Sequence, residues 1–260
     1  MGSRSFFVEP GSIQGDRAVL RGQVAHQLNH VLRLAEGDVI ELLDNSGTLY
    51  LARILECARE EVVARVEERR EPAAEPRTRL TLYQALLKGD KMETVLQKGT
   101  EIGVTRFVPV LGERSVSRPG AGELERKLPR WRVIIREAAE QSGRATLPEV
   151  GPLASLEEAC RQAAAAAALS FMAWEEEEMS FGLGRLVREA RRTREGRGEA
   201  GPVAVSVLVG PEGGFSAREA GIARSAGVRL ASLGPRILRA ETAAVVAATV
   251  VMEAMGEMGD

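Results

Sequence analysis

The chain has 260 residues, of which 44 % are hydrophobic and 28 % charged, with a net charge of −2 and a pI near 6.0. That balance belongs to an ordinary globular protein of one large or two smaller domains, and it excludes collagenous, disordered and disulfide-rich classes. The longest strongly apolar run, Thr242 to Met252, falls short of the ~20 residues of a membrane span, so no membrane association is expected.

The amino terminus, MGSRSFFVEPGS, lacks an apolar signal core, and Cys57 and Cys160 stand apart from each other. A reducing cytoplasm is the expected compartment. Short β-like pieces follow: RSFFVE, AVLRG, DVIELLD, GTLYLARILE and EVVARVEE, separated by Gly, Asp and Asn. They predict a small barrel-like β domain. One helical interruption is expected at HQLNHVLRL; His26 and His30 are four apart, but no third ligand lies nearby, so no metal site is expected. The segment REPAAEPRTR, residues 70–79, has two prolines and no periodicity and reads as a linker. The expected domains are therefore 1–72 and 77–260, with the boundary near Pro76.

Beyond the linker, strands alternate with helices. RLTLYQAL is a strand, Asp90 with Glu93 forms a capping box, and the helix so started runs to Gly103. RFVPVLG is the next strand, and a helix spans Leu124 to Gln141. LEEACRQAAAAAALSFMAW, an arginine-rich connection, the strand VAVSVLV, a helix from Ser216 to Ala226, VRLASLG and a final helix after Arg239 complete the order. This alternation predicts an α/β domain. Charge is uneven: Lys and Arg minus Asp and Glu gives −4 for 1–76, +6 for 77–144 and −4 for the rest. A local basic belt can neutralise phosphates while the whole molecule stays acidic.

The apolar run VAVSVLV is expected to be covered on both faces, in the middle of a parallel sheet. Its carboxyl end leads into Gly210, Pro211, Glu212, Gly213 and Gly214, where open α/β sheets bind ligands. Glycine lets the backbone approach a ligand, and Ser216 with Glu219 caps the helix behind. GPEGG matches neither dinucleotide nor phosphate-loop patterns, which disfavours phosphate binding. A second turn, LGPRILRAETA, repeats the design at Gly234. If the strands before Gly210 and Gly234 are neighbours, the two loops form a pocket lined by backbone, suited to adenine and a small amino acid. Arg239, Glu241 and Thr242 at the helix entry serve either as cap partners or in orienting loops and substrate.

LKGDKMETVLQKGTEIGV, KLPRWRVIIREAAEQSGR, LVGPEGGFS and LGPRILRAETA, with RSFFVE and HVLRL before them, span nearly the whole chain in order. In that combination the sequence resembles the bacterial 16S ribosomal RNA uridine-N3 methyltransferases of the SPOUT superfamily, the RsmE family. The resemblance implies an N-terminal PUA-like β-barrel and a C-terminal SPOUT α/β domain with a deep trefoil knot, acting as a homodimer on 16S rRNA or the small ribosomal subunit. It also implies S-adenosylmethionine held by Leu208, Val209, Gly210, Pro211, Glu212, Gly213, Gly214, Leu233, Gly234, Ile237, Leu238, Arg239, Glu241 and Thr242.

Methylation at uridine N3 requires loss of the imide proton, so the expected catalytic group is Arg136, Glu137, Gln141, Arg144 and Arg239, with no general base singled out. Glu137 and Gln141 share a helix face and also fit a helix-capping network. Phosphate contacts are assigned to Arg4, Arg33, Lys88, Lys91, Lys98, Arg114, Arg130 and Arg132. Methylation of another RNA atom, such as a ribose 2′-oxygen, and a non-catalytic rRNA-binding assembly factor stay open as alternatives.

Overall fold

The computed structural model describes residues 5–72, 74–120, 122–176, 181–199 and 201–259. Two compact units emerge: Met1–Glu75 with Arg136–Leu147, and Pro76–Ile135 with Pro148–Asp260.

In the first unit, β1 (Ser5–Phe7), β2 (Ile13–Gln14), β3 (Arg17–Arg21), α1 (Gly22–His26), β4 (Val39–Leu43), β5 (Leu49–Cys57) and β6 (Glu61–Arg70) follow one another. The strands form one sheet in the order β1-β4-β5-β6-β3-β2. Alternation sets its faces: Ala18, Leu20, Ala52, Ile54, Val62 and Ala64 are buried in one core, and their neighbours in sequence point away from it. The expected barrel-like β domain is present as a six-stranded half-barrel. The end strands β1 and β2 offer three and two residues, too few to close the ladder, and do not pair with each other among the described residues. The expected helical interruption is present: α1 passes into a π-helical turn, Gln27–Val31, and Arg33 leaves it at φ 54°. The His26 and His30 rings are 4.9 Å apart, and no group of three metal-ligating side chains occurs among the described residues.

Residues 136–147, assigned by sequence to the second domain, group with the first unit. Glu75 accepts from the Ala145 and Thr146 amides at 2.8 and 3.0 Å and from Thr146 Oγ1 at 2.7 Å. Arg144, buried, pairs with the same carboxylate at 3.4 Å. Glu140 accepts from the Phe7 amide at 3.0 Å, and Ala139 and Ala145 pack on Phe7 and Leu43. Burial pushes the Glu140 carboxyl up, against the pull of the Phe7 amide and Arg136.

The second unit runs β7 (Arg79–Ala85), α2 (Lys91–Ile102), β8 (Val104–Leu111), α3 (Glu123–Ser142, to Ile135), β9 (Glu149–Val150), β10 (Ala154–Ser155), α4 (Leu156–Ala166), β11 (Leu169–Ala173), α5 (Leu183–Gly196), β12 (Ala204–Val209), α6 (Ala217–Ser225), β13 (Arg229–Ala231) and α7 (Ala240–Met255). Its sheet is parallel, in the order β10-β8-β7-β12-β11-β13, with β9 on β8. As expected, β12 sits inside the sheet: Val205, Val207 and Val209 join one core and Leu208 the other. Helix α2 ends at Gly103, whose φ of 113° only glycine adopts without strain. The capping box expected at Asp90 is absent: the residue has φ −84° and ψ 1° rather than the extended backbone of an N-cap, its side chain makes no cap hydrogen bond, and Glu93 binds Arg130 at 2.6 and 2.7 Å. Among the described residues no helix is long and apolar enough to cross a membrane.

Candidate cofactor site

Strand β12 delivers the glycine turn to the carboxyl edge of the sheet, and α6 begins behind it. Ser216 Oγ accepts from the Glu219 amide while Glu219 Oε2 accepts from the Ser216 amide, the reciprocal cap expected from the sequence. The buried Glu219 also accepts from the Glu113 amide at 2.8 Å, and Arg114 Nη1 donates to the Gly213 carbonyl at 3.1 Å. The turn after β8 therefore braces the turn after β12.

The strands before Gly210 and Gly234 are not neighbours: β11 lies between them and pairs with both. The two loops nevertheless line one cavity of about 450 Å³ together with Ala173, Trp174 and Glu175 from the end of β11. Val209, Gly210, Pro211, Glu212, Gly213, Gly214, Leu233, Gly234, Ile237 and Leu238 all line it. Leu208 is fully buried beneath, and Arg239, Glu241 and Thr242 are not among the lining residues. Trp174, Glu175 and Arg236 were not foreseen. Applying the carboxyl-edge rule to LSFMAW as well as VAVSVLV would have found Trp174.

The walls suit a nucleoside joined to an amino acid. Gly234 has φ 112° and no atom within 4 Å of an added Cβ, so its backbone lies open at the loop. Trp174 contributes to the wall, and its buried Nε1 has no hydrogen-bond partner among the described residues. Glu175 and Arg236 supply one charge of each sign for a zwitterion.

Lys91 connects this site across three elements. Its Nζ lies 3.4 Å from Glu212 Oε1 in the glycine turn and 3.5 Å from Glu241 Oε2 in α7, a buried oxygen with no hydrogen bond of its own among the described residues. Glu212 Oε1 also accepts from the Lys88 amide at 3.0 Å. Burial would raise the Glu212 carboxyl, but the amide bonds and Lys91 outweigh it and hold it below the ordinary glutamate value. A carboxylate with a lowered folded value stabilises the turn above its unfolded pKa, and that contribution is lost as pH falls through the folded value. Acidification is therefore expected to loosen the turn, read by Trp174 fluorescence in a Trp131→Phe background, with this transition absent in Glu212→Gln. Lys91→Met leaves the buried Glu241 Oε2 without its cation and Glu212 with only the Lys88 amide, at about 1–3 kcal/mol. Amides of Glu212 to Gly214 should then exchange roughly tenfold faster or more in hydrogen-exchange measurements.

The other predicted cations divide sharply. Lys98 pairs with Glu101 at 2.9 Å, Arg130 with Glu93, and Arg114 holds Gly213, so these serve the unit itself. Lys88, Arg132 and Arg33 are exposed, with no ion pair among the described residues, and Arg4 lies outside the described residues. Arg136 reaches the Phe7 carbonyl at 3.4 Å, while Glu137 and Gln141 are exposed. Arg144 is 2 % exposed, buried against Glu75.

The RNA methyltransferase domain family matches residues 74–252, and the RNA methyltransferase PUA domain family matches residues 20–67. The ribosomal RNA small subunit methyltransferase E of Synechocystis sp. is 32 % identical, covering 92 % of this chain and 74 % of the relative. The enzyme of that name from Mycobacterium bovis is 31 % identical over 93 % of this chain and 88 % of its own. The chain belongs to the ribosomal RNA small subunit methyltransferase E family. A crystal structure of the small subunit methyltransferase E of Neisseria gonorrhoeae, bound to S-adenosyl methionine, superposes with a TM-score of 0.81 at 30 % identity, over 97 % of this chain and 98 % of that one. In methyltransferase E terms, the half-barrel is the PUA-like domain and the parallel sheet is the methyltransferase domain.

Proposed function

We propose that the protein methylates uridine N3 in the 16S rRNA of the small ribosomal subunit, using S-adenosylmethionine held in the cavity at the ends of β11, β12 and β13. The observation that carries this reading is the cavity lined by both glycine turns, with its open Gly234, in a chain of this family. Bound there, S-adenosylmethionine supplies an electrophilic methyl group on a sulfonium sulfur. Residues of the two glycine turns orient the cofactor through their backbone, while Glu175 and Arg236 match its amino-acid end.

Uridine N3 is a neutral imide, so its proton must pass to solvent before its lone pair can take the methyl group, whose bond to sulfur breaks to leave S-adenosylhomocysteine. Cations that stabilise the ionised ring lower that cost. In the second unit Arg239, exposed at the α7 entry without an ion pair among the described residues, carries this role; Arg136, Glu137 and Gln141, in the first unit, are candidates for the same reaction. The PUA-like domain, residues 1–72, and the exposed Lys88, Arg132 and Arg33 hold RNA, and residues 77–260 carry the chemistry. The protein works as a cytoplasmic homodimer, and its C-terminal segment is threaded as a trefoil knot.

Calorimetric titration with S-adenosylmethionine tests the reading. One saturable site per chain is expected; absence of heat both with and without small-subunit rRNA would overturn it and favour a non-catalytic assembly factor.

A further inference from the structure

Three arginines stand in one row across the half-barrel. Arg17 of β3 is the register partner of Arg65 of β6, and Arg65 is the register partner of Arg53 of β5. Their neighbours Ala18, Ala64, Ala52 and Ile54 are fully buried, so alternation points the row away from the core. Arg17 and Arg65 are exposed, and the Arg53 side chain is 41 % exposed.

Like charges directly opposed on neighbouring antiparallel strands destabilise the sheet. The same strands show the ordinary solution one turn of the pleat away, where Arg21 faces Glu61 with a 2.6 Å ion pair. At the arginine row the only carboxylate in reach among the described residues is Glu67, 2.7 Å from Arg53 and 3.8 Å from Arg65. The Arg17 side chain has no hydrogen bond or ion pair among the described residues. Arg53 is spent, since Nε and Nη2 donate to the two Glu67 oxygens at 2.7 and 3.0 Å and Nη1 donates to the Gly37 carbonyl at 2.8 Å, so Arg17 and Arg65 are left with fixed, exposed positive charge on a strand scaffold. Planar guanidiniums bind phosphate oxygens in pairs, and such contacts set register without reading sequence.

We propose that Arg17 and Arg65, side by side in that row, form a phosphodiester-binding stripe that holds the backbone of the RNA substrate. The proposal rests on the rRNA-substrate reading above and adds contacts beyond Arg4 and Arg33.

The test is fluorescence anisotropy of the full chain with transcribed small-subunit rRNA at salt from about 50 to 200 mM. Arg17→Ser and Arg65→Ser are each expected to lower the slope of log affinity against log salt by about 0.7–0.9. Arg17→Lys should keep the slope, and Arg21→Ser, whose charge is spent on Glu61, should leave it unchanged. Melting temperature should stay level or rise in Arg17→Ser, because a repulsion is removed; a purely structural role would lower it. An unchanged slope in both serine variants, with the wild type binding RNA, would overturn the stripe alone. Failure of the wild type to bind rRNA would instead sink the substrate reading and the stripe with it.

Discussion

Replacing Arg144 by methionine is expected to destabilise the first unit by about 3 kcal/mol, the lower part of the range for breaking a buried ion pair. The lower part applies because Glu75 keeps its bonds from the Ala145 and Thr146 amides and from Thr146 Oγ1, so its charge is not wholly stranded. For a unit of this size such a loss lowers the melting temperature by roughly 10–20 °C. Arg144→Lys should recover only part, since an ammonium cannot reproduce the planar fork. Differential scanning calorimetry separates this from a catalytic role. An Arg144→Met protein that melts like the wild type yet has lost methyl transfer would keep Arg144 in the catalytic group.

Gly210→Val is expected to abolish cofactor binding while leaving the fold intact. A Cβ there would lie 3.3 Å from the Gly214 carbonyl carbon, from the Phe215 amide nitrogen and from Phe215 Cδ2, so the glycine turn itself must shift. Overpacking of this kind costs about 1–3 kcal/mol. Displacing a positioning loop by even 1 Å can cost about 100-fold in function, so affinity for S-adenosylmethionine should fall by about 100-fold or more. Gly221→Ala is the control: it sits inside α6 with nothing within 4 Å of the added carbon, and should stabilise by about 0.5–1 kcal/mol without affecting binding. Equilibrium dialysis with circular dichroism decides the matter, and wild-type affinity in Gly210→Val would remove the turn from the cofactor site.

Local patterns made much of this molecule readable from sequence. The turn-bounded β pieces, the Ser216–Glu219 cap, the Gly103 stop and the central apolar strand each depend on residues a few positions apart. What escaped the sequence depends on partners far away in the chain. Nothing near VRLASLG announces that β13 lies beyond β11 rather than beside β12. Arg144 reads as a free cation beside a helix end until Glu75 is seen to face it. Lys91 likewise reads as a phosphate ligand, yet Glu212 and Glu241 lie more than a hundred residues later in the chain. Asp90 and Glu93 have the spacing of a cap, but Arg130 wins the glutamate. The arginine row, invisible as a motif, follows only from strand register.

The most direct test of the account is to incubate the protein with unmodified small ribosomal subunits and S-adenosylmethionine, then digest the rRNA and identify methylated nucleosides by mass spectrometry. A single cofactor-dependent 3-methyluridine in the 16S rRNA is the predicted result. A methyl group found only on a ribose 2′-oxygen or another base, or no methyl gain at all, would contradict it.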